Sequence, residues 1–288
     1  MSSTAPSKRA KCPNTLPSGK GVASWIGLFF SSSVGCKLLV ALTGVLLTAF
    51  VIVHMTGNVL IFSGQDKLND YAKFLKDLGP VLWALRIGLL IVFVLHVVLA
   101  IRLKLRSAAA RPIGYQYHQN IQATVASRTM LISGLVILAF LLFHLAHFTF
   151  GWVKEVEAVQ AHIINGHVEP TGQKVTANYL KIVDAEGRHD VYSMVIAGFR
   201  NPVIAVLYLI AQGFLLLHLS HGASSVLQTF GWNSPRVQHF LKGFGWLVAL
   251  IVVGGNVAIV VAVWAGWVPP VTTFYAPTVP PGPLSPIR

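Results

Sequence analysis

Six histidines lie inside long apolar stretches of the chain: His54, His96, His144, His147, His218 and His221. An imidazole at membrane depth is costly, so it faces a cavity or a partner and counts by default as a functional site. Bis-histidine iron, as in a b-type haem, needs two imidazoles at one depth on facing helices. Depth can be read from spacing. His54 stands 17 residues after Lys37, and His144 stands 16 after Arg128. At about 1.5 Å per residue both lie roughly 25 Å from the boundary that those two cations mark. His96 is 16 residues after Pro80 and His218 is 16 after Pro202, which puts both roughly 24 Å inward from the other boundary. His54 with His144 therefore form an outer pair, and His96 with His218 an inner pair, for two haems. His147 and His221, three residues further on, fit the depth match less well and are expected to hydrogen-bond or to contact a haem propionate. His118, His162, His167, His189 and His239 fall in loops or at a boundary, where solvent exposure accounts for them.

The elements that must carry these residues follow from composition. The 288-residue chain is 54% hydrophobic and 11% charged, the profile of a polytopic membrane protein. Five segments reach the roughly 20 apolar residues that cross a bilayer: about 38–62, 81–101, 129–150, 202–227 and 243–267. The expected fold is an all-α membrane domain over 31–267, a bundle of five transmembrane helices enclosing two haems, with an external loop at about 152–200. Within that loop a hairpin is expected around Asn165-Gly166. Residues 1–30 are polar and basic and read as a disordered tail without a secretory signal; 268–288 read as a Pro-rich tail. Cys12 and Cys36 stand in no C-x-x-C-H motif, so covalent c-type haem is excluded.

The net charge of +13 is not that of a nucleic-acid binder once it is mapped onto five spans. The N-terminal segment, the 102–128 loop and the 228–242 loop share one side, which holds twelve Lys and Arg and no acid; all nine Asp and Glu fall opposite. By the positive-inside rule the basic side is cytoplasmic, with the N-terminus, and the C-terminus is outside. Such a face suits anionic lipid or an acidic protein partner. Lys37, Ser127 and Arg128 gather by depth at the basic ends of spans 1 and 3. They are candidates for haem propionates or a quinone carbonyl, and lipid anchoring explains the two charges equally well. No acid lies within a span, so an in-membrane carboxylate relay is not expected; His147, Asp70 and Asp77 are the candidate proton carriers.

Thr43-Gly44 precedes His54, and Ser133-Gly134 precedes His144, with nine residues between in each case. Eleven residues is close to three turns, so Thr43 and Ser133 share a face with those histidines, where small residues admit a planar group or a close helix contact.

These residues resemble a known family. The [TS]-G-x9-H pattern in spans 1 and 3, HVVLAIRLK in span 2 and HLSHGASSVLQTFGW in span 4 look like the five-helix, di-haem cytochrome b558 membrane anchor of succinate dehydrogenase and fumarate reductase. SSSVGCKLLVALTG and DVYSMVIAGFRNP add to the likeness, which covers about residues 30–265. The resemblance implies an anchor in the cell's inner (cytoplasmic) membrane, with His54 and His144 on a distal haem b and His96 and His218 on a proximal one. It implies flavoprotein and iron–sulfur subunits on the cytoplasmic side, and electron transfer between them and membrane quinone (menaquinone or ubiquinone), as part of a respiratory succinate:quinone oxidoreductase. Dicarboxylate chemistry would belong to another chain. Two other readings stay open: a di-haem anchor of hydrogenase or formate dehydrogenase type, and a transporter whose histidines carry protons.

Overall fold

Three prolines start three long helices, because proline at the first turn forfeits only an N–H that the helix leaves unpaired anyway. In the computed structural model, which describes residues 22–111, 123–151, 155–164, 167–270 and 273–278, these are α4 (Pro80–Ala109), α8 (Pro202–Thr229) and α9 (Pro235–Trp264). Asn201 caps α8, its side-chain oxygen accepting from the N–H groups of Val203 and Ile204. Ser32 caps α2 (Ser33–Val59), its hydroxyl accepting from Gly35 N at 2.9 Å. Thr124 caps the short α5 (Val125–Arg128), and α6 (Met130–His144) runs on into a π-helical turn over Leu145–Thr149. The five helices α2, α4, α6, α8 and α9, two of them counted with their terminal turns, are long and apolar enough to cross a membrane.

Helix ends differ from those read off hydropathy. α4 continues past residue 101 through Arg102, Lys104 and Arg106, and α9 begins at Pro235, ahead of Lys242. Lys and Arg are good helix formers, so the helix outlasts its apolar stretch. The stretch 22–30, placed in a disordered tail by composition, is also helical, within α1 (Val22–Ser31). Arg102 and Arg106 of α4 donate to the carbonyls of Phe30 and Ser31 at 3.4 and 2.7 Å, which satisfies the end of α1. There is no room for a side chain at Gly35, where a Cβ would collide with the Phe29 carbonyl.

The long helices pack as a ring of α2, α4, α6 and α8, with α9 outside it against α8 and α2. The α8–α9 contact is the tightest: a Cβ on Gly245 would strike the Ser220 carbonyl, and Leu219, Ala249 and Val252 fill the seam. Small residues that let backbones meet are the usual basis of helix association in lipid. α4 is the opposite case. Leu99 is its only buried residue, and Leu85, Leu90, Ile91, Val94 and Val98 point outward, a surface that hydrocarbon accepts and water does not.

At the end of the bundle away from α1 sits a polar cap. It comprises α3 (Gln65–Asp77), the antiparallel hairpin of β1 (Glu155–Ile164) and β2 (His167–Asn178), and α7 (Val191–Phe199). The hairpin closes with Ile164 opposite His167; the turn at 165–166 lies outside the described residues. β3 (Tyr275–Pro277) pairs parallel to the free edge of β1, so part of the segment assigned to a C-terminal tail is docked, and Ala276 is buried. Arg188 ties the cap together. It donates to Asp66, Asp70, Asp184 and Glu186 at 2.6–2.9 Å. Burial opposes its charge, but bonds to Asp66, Asp184 and Asp70 outweigh that and hold the guanidinium more firmly protonated than usual. Asn69, fully buried, donates to Asp184 and Asp190 and accepts from Tyr192 N, so its amide is fully paired.

Two expectations follow for the cap. Exposed Asp66 and Asp70 contribute little individually, whereas Asp184 is 1% exposed. Replacing Arg188 by Leu therefore strands a buried carboxylate and costs about 3 kcal/mol, read as a lower thermal midpoint and faster proteolysis of 152–200. His189 has an independent effect. Burial, and then the nearby Lys76 charge, push its imidazole below the ordinary 6.5, against the pull of the Ile182 carbonyl, Asp190 and Asp184. The unfolded segment then binds the proton more readily, so stability is full above pH 6.5 and is lost as pH falls below it. Proteolysis of the cap should quicken between about pH 7 and about pH 5, and His189→Gln should flatten that rise.

Candidate functional site

The two small-residue dipeptides address the rings of the neighbouring helices. Thr43 Oγ1 lies 3.0 Å from His96 Nδ1 on α4, and Ser133 Oγ lies 3.2 Å from His218 Nδ1 on α8. Each hydroxyl proton is already committed: Thr43 donates to Leu39 O at 2.7 Å and Ser133 to Met130 O at 3.1 Å. A hydroxyl has one proton and two lone pairs, so each oxygen accepts from an Nδ1–H of the ring. Nε2 is thereby left as the lone-pair nitrogen on His96 and His218, the form that binds a metal. The adjoining glycines make room. A Cβ at Gly44 would sit 3.4 Å from Cε1 of His96, and one at Gly134 3.4 Å from Cε1 of His218. Thr43 and Ser133 share a face with His54 and His144 as their spacing requires, but what they touch is the opposite pair. His96 and His218 are within electrostatic reach of each other.

About 16 Å further along α2, eleven residues on, His54 meets His144 of α6. Their ring centroids are 5.9 Å apart and their planes perpendicular, at 89°. Phe50 stacks on His54 at 5.5 Å. Two metal–nitrogen bonds of about 2 Å, with each ring centre set back by roughly another 1 Å, put a pair of axial imidazoles about 6 Å apart. The spacing of His54 and His144 thus fits one iron between them.

Tyr208, on α8, is a residue the spacing argument passed over. Its hydroxyl lies 3.2 Å from His144 Nδ1 and 3.0 Å from His147 Nδ1. Phe140 and Phe199 pack edge-on against its ring at 4.9 and 4.8 Å. Tyr208 stands ten residues before His218, about 80° round the helix from it, so the spacing of the histidines gave no signal for it. The π turn begins immediately after His144, a distortion that often marks functional positions. His147 is 0% exposed, whereas His54 is exposed and His96, His144 and His218 are half-buried. His147 Nε2 has no partner and faces Gly198, where a Cβ would lie 2.9 Å from it.

The remaining candidates are scattered. His221 is half-buried, and its ring makes no hydrogen bond among the described residues. Ser127 donates its hydroxyl to Thr124 O at 2.9 Å, while Lys37 and Arg128 are exposed; no hydrogen bond links the three among the described residues. Asp70 is engaged by Arg188 and Asp77 by Lys73. His162 shares a hydrogen bond with Thr278 at 2.8 Å. Cys36 is buried as a free thiol, and Cys12 and His118 lie outside the described residues.

Among the described residues no three His, Cys, Asp or Glu side chains converge on one point. The histidines come in twos, which suits a metal group that brings its own equatorial ligands. Searches against family models, curated proteins and solved structures find no match to this chain.

The glycine contacts make a graded expectation. Gly44→Ala and Gly134→Ala keep ordinary van der Waals distances and should leave stability unchanged or slightly raised. Gly44→Val and Gly134→Val overpack the rings and should cost about 1–3 kcal/mol each, read as the thermal midpoint of the detergent-purified protein.

Proposed function

We propose that this chain is a di-haem cytochrome b, the membrane-anchor subunit of a succinate dehydrogenase or fumarate reductase complex. One observation carries the reading: two histidine pairs on four neighbouring helices, at two levels. Three of the four rings have Nδ1 bonded to a hydroxyl, and none of the three makes a hydrogen bond at Nε2 among the described residues. His54 and His144 would hold one haem, His96 and His218 the other. Haem iron supplies a reversible one-electron change between ferrous and ferric. The residues of the chain do the rest: neutral imidazoles bind without adding charge, hydroxyls fix the ring orientation, and the surrounding apolar side chains exclude water. His147, enclosed and tied to Tyr208, has no room beside it for a further large group and serves as a support.

The distribution of charge supports the remaining assignments. The basic end, with Lys37, Arg102, Lys104, Arg106, Arg111 and Arg128, is proposed to face the cytoplasm, where the flavoprotein and iron–sulfur subunits and anionic lipid would meet it. Electrons would pass between those subunits and membrane quinone through the inner and then the outer haem. Exposed Lys37 and Arg128 are the cations available at that end for propionates or lipid headgroups.

The purified protein should show a Soret band and reduced b-type bands, with two haems per chain. His54→Ala or His144→Ala should remove about half the haem and leave the inner centre, while His147→Ala and His221→Ala should keep both. A protein without a Soret band returns the assignment to a proton-carrying transporter. Catalytic partners recovered from the opposite side of the membrane would favour a hydrogenase or formate dehydrogenase anchor.

A further inference from the structure

We infer that Tyr208 is a positioning residue that sets the electron donation of His144, and that His147 acts on the outer centre only through it. The inference rests on the haem reading above. Tyr208 differs from the other two hydroxyls in where its proton goes. Thr43 and Ser133 donate theirs to carbonyls of their own helix. The Tyr208 hydroxyl instead has two imidazole nitrogens as its partners, Nδ1 of His144 and Nδ1 of His147.

A phenol has a single proton, so it can donate to one ring and must accept from the other. A His144 whose Nε2 lone pair is given to iron carries its proton on Nδ1, and therefore donates to the Tyr208 oxygen. Tyr208 then donates to His147 Nδ1. His147 keeps its own proton on Nε2, the atom that has no partner and lies against Gly198. The direction of all three groups is thus fixed by the metal bond at one end. Hydrogen bonds aligned head to tail polarise one another in a low dielectric. The chain pushes electron density toward His144 Nε2 and favours the ferric state, lowering the potential of the outer centre. His54 has no such hydroxyl among the described residues; its neighbour is the stacked Phe50. Nothing in this chain of bonds touches the inner pair, so its influence is confined to one haem.

The experiment is a redox titration of the purified protein, with the two centres assigned by the single-ligand variants described above. Tyr208→Phe preserves the ring that Phe140 and Phe199 pack against and removes only the hydroxyl. Both haems should be retained, the midpoint of the outer centre should rise, and its low-spin ferric electron paramagnetic resonance signal should change. The inner midpoint should stay where it was. An unmoved outer midpoint, or equal movement of both, overturns the role given to Tyr208. Should Tyr208→Phe release the outer haem, His147 tests the same chain with Tyr208 in place. His147→Leu should raise the outer midpoint by a smaller amount, and His147→Asn, whose side-chain carbonyl stands in for the Nδ1 acceptor, should bring it back. No shift in His147→Leu overturns the chain. Wild-type protein without haem overturns the function itself, a result distinct from two haems whose potentials ignore Tyr208.

Discussion

An imidazole in a low-dielectric bundle has two ring nitrogens, and the state of one dictates what the other can do. The whole arrangement depends on that constraint. Thr43 on α2 fixes His96 on α4, Ser133 on α6 fixes His218 on α8, and Tyr208 on α8 returns the favour to His144 on α6. None of these three rings takes its hydroxyl from its own helix. α2, α6 and α8 each offer a ring at one level and a hydroxyl at another, so ring geometry and helix packing are altered together. The glycines beside Thr43 and Ser133, and Gly198 beside His147, are the spatial half of the same requirement: a ring can be bonded only where a neighbouring helix leaves it room.

Part of this was legible in the residues. Hydropathy located the five long helices to within several residues, and counting from Lys37 and Arg128 set His54 beside His144, whose rings meet. The dipeptides Thr43-Gly44 and Ser133-Gly134 were visible as a repeat, yet their partners were not. Periodicity says which residues share a face; it does not say which neighbour that face meets. Tyr208 was overlooked for a related reason, since a single aromatic in an apolar span reads as packing until its hydroxyl is seen between two rings. Composition misjudged residues 22–30 and 275–277 because what holds them is remote in sequence. Arg102 and Arg106 secure the first, and the edge of β1 secures the second.

The polar cap obeys a different economy from the bundle. Among the described acids most are exposed, and Asp184 and Asp190 are drawn inside, each met by Asn69 and by backbone or cationic donors. Arg188 therefore acts less as a sum of surface ion pairs than as the counter-ion of one buried carboxylate. Through Asp66 and Asp70 it also links α3, which follows the first long helix, to the loop that precedes α7 and the fourth. The ends of two helices that carry histidines are thus braced by the cap, and α7 reaches from it to the rings, with Gly198 against His147 and Phe199 against Tyr208.

α4 is the least embedded of the long helices. It buries one residue, and its specific attachments are His96 to Thr43 and two arginines to the end of α1. The ring of His96 thus rides on the helix with the least buried surface, and the hydroxyl of Thr43, rather than a packed seam, is what fixes it.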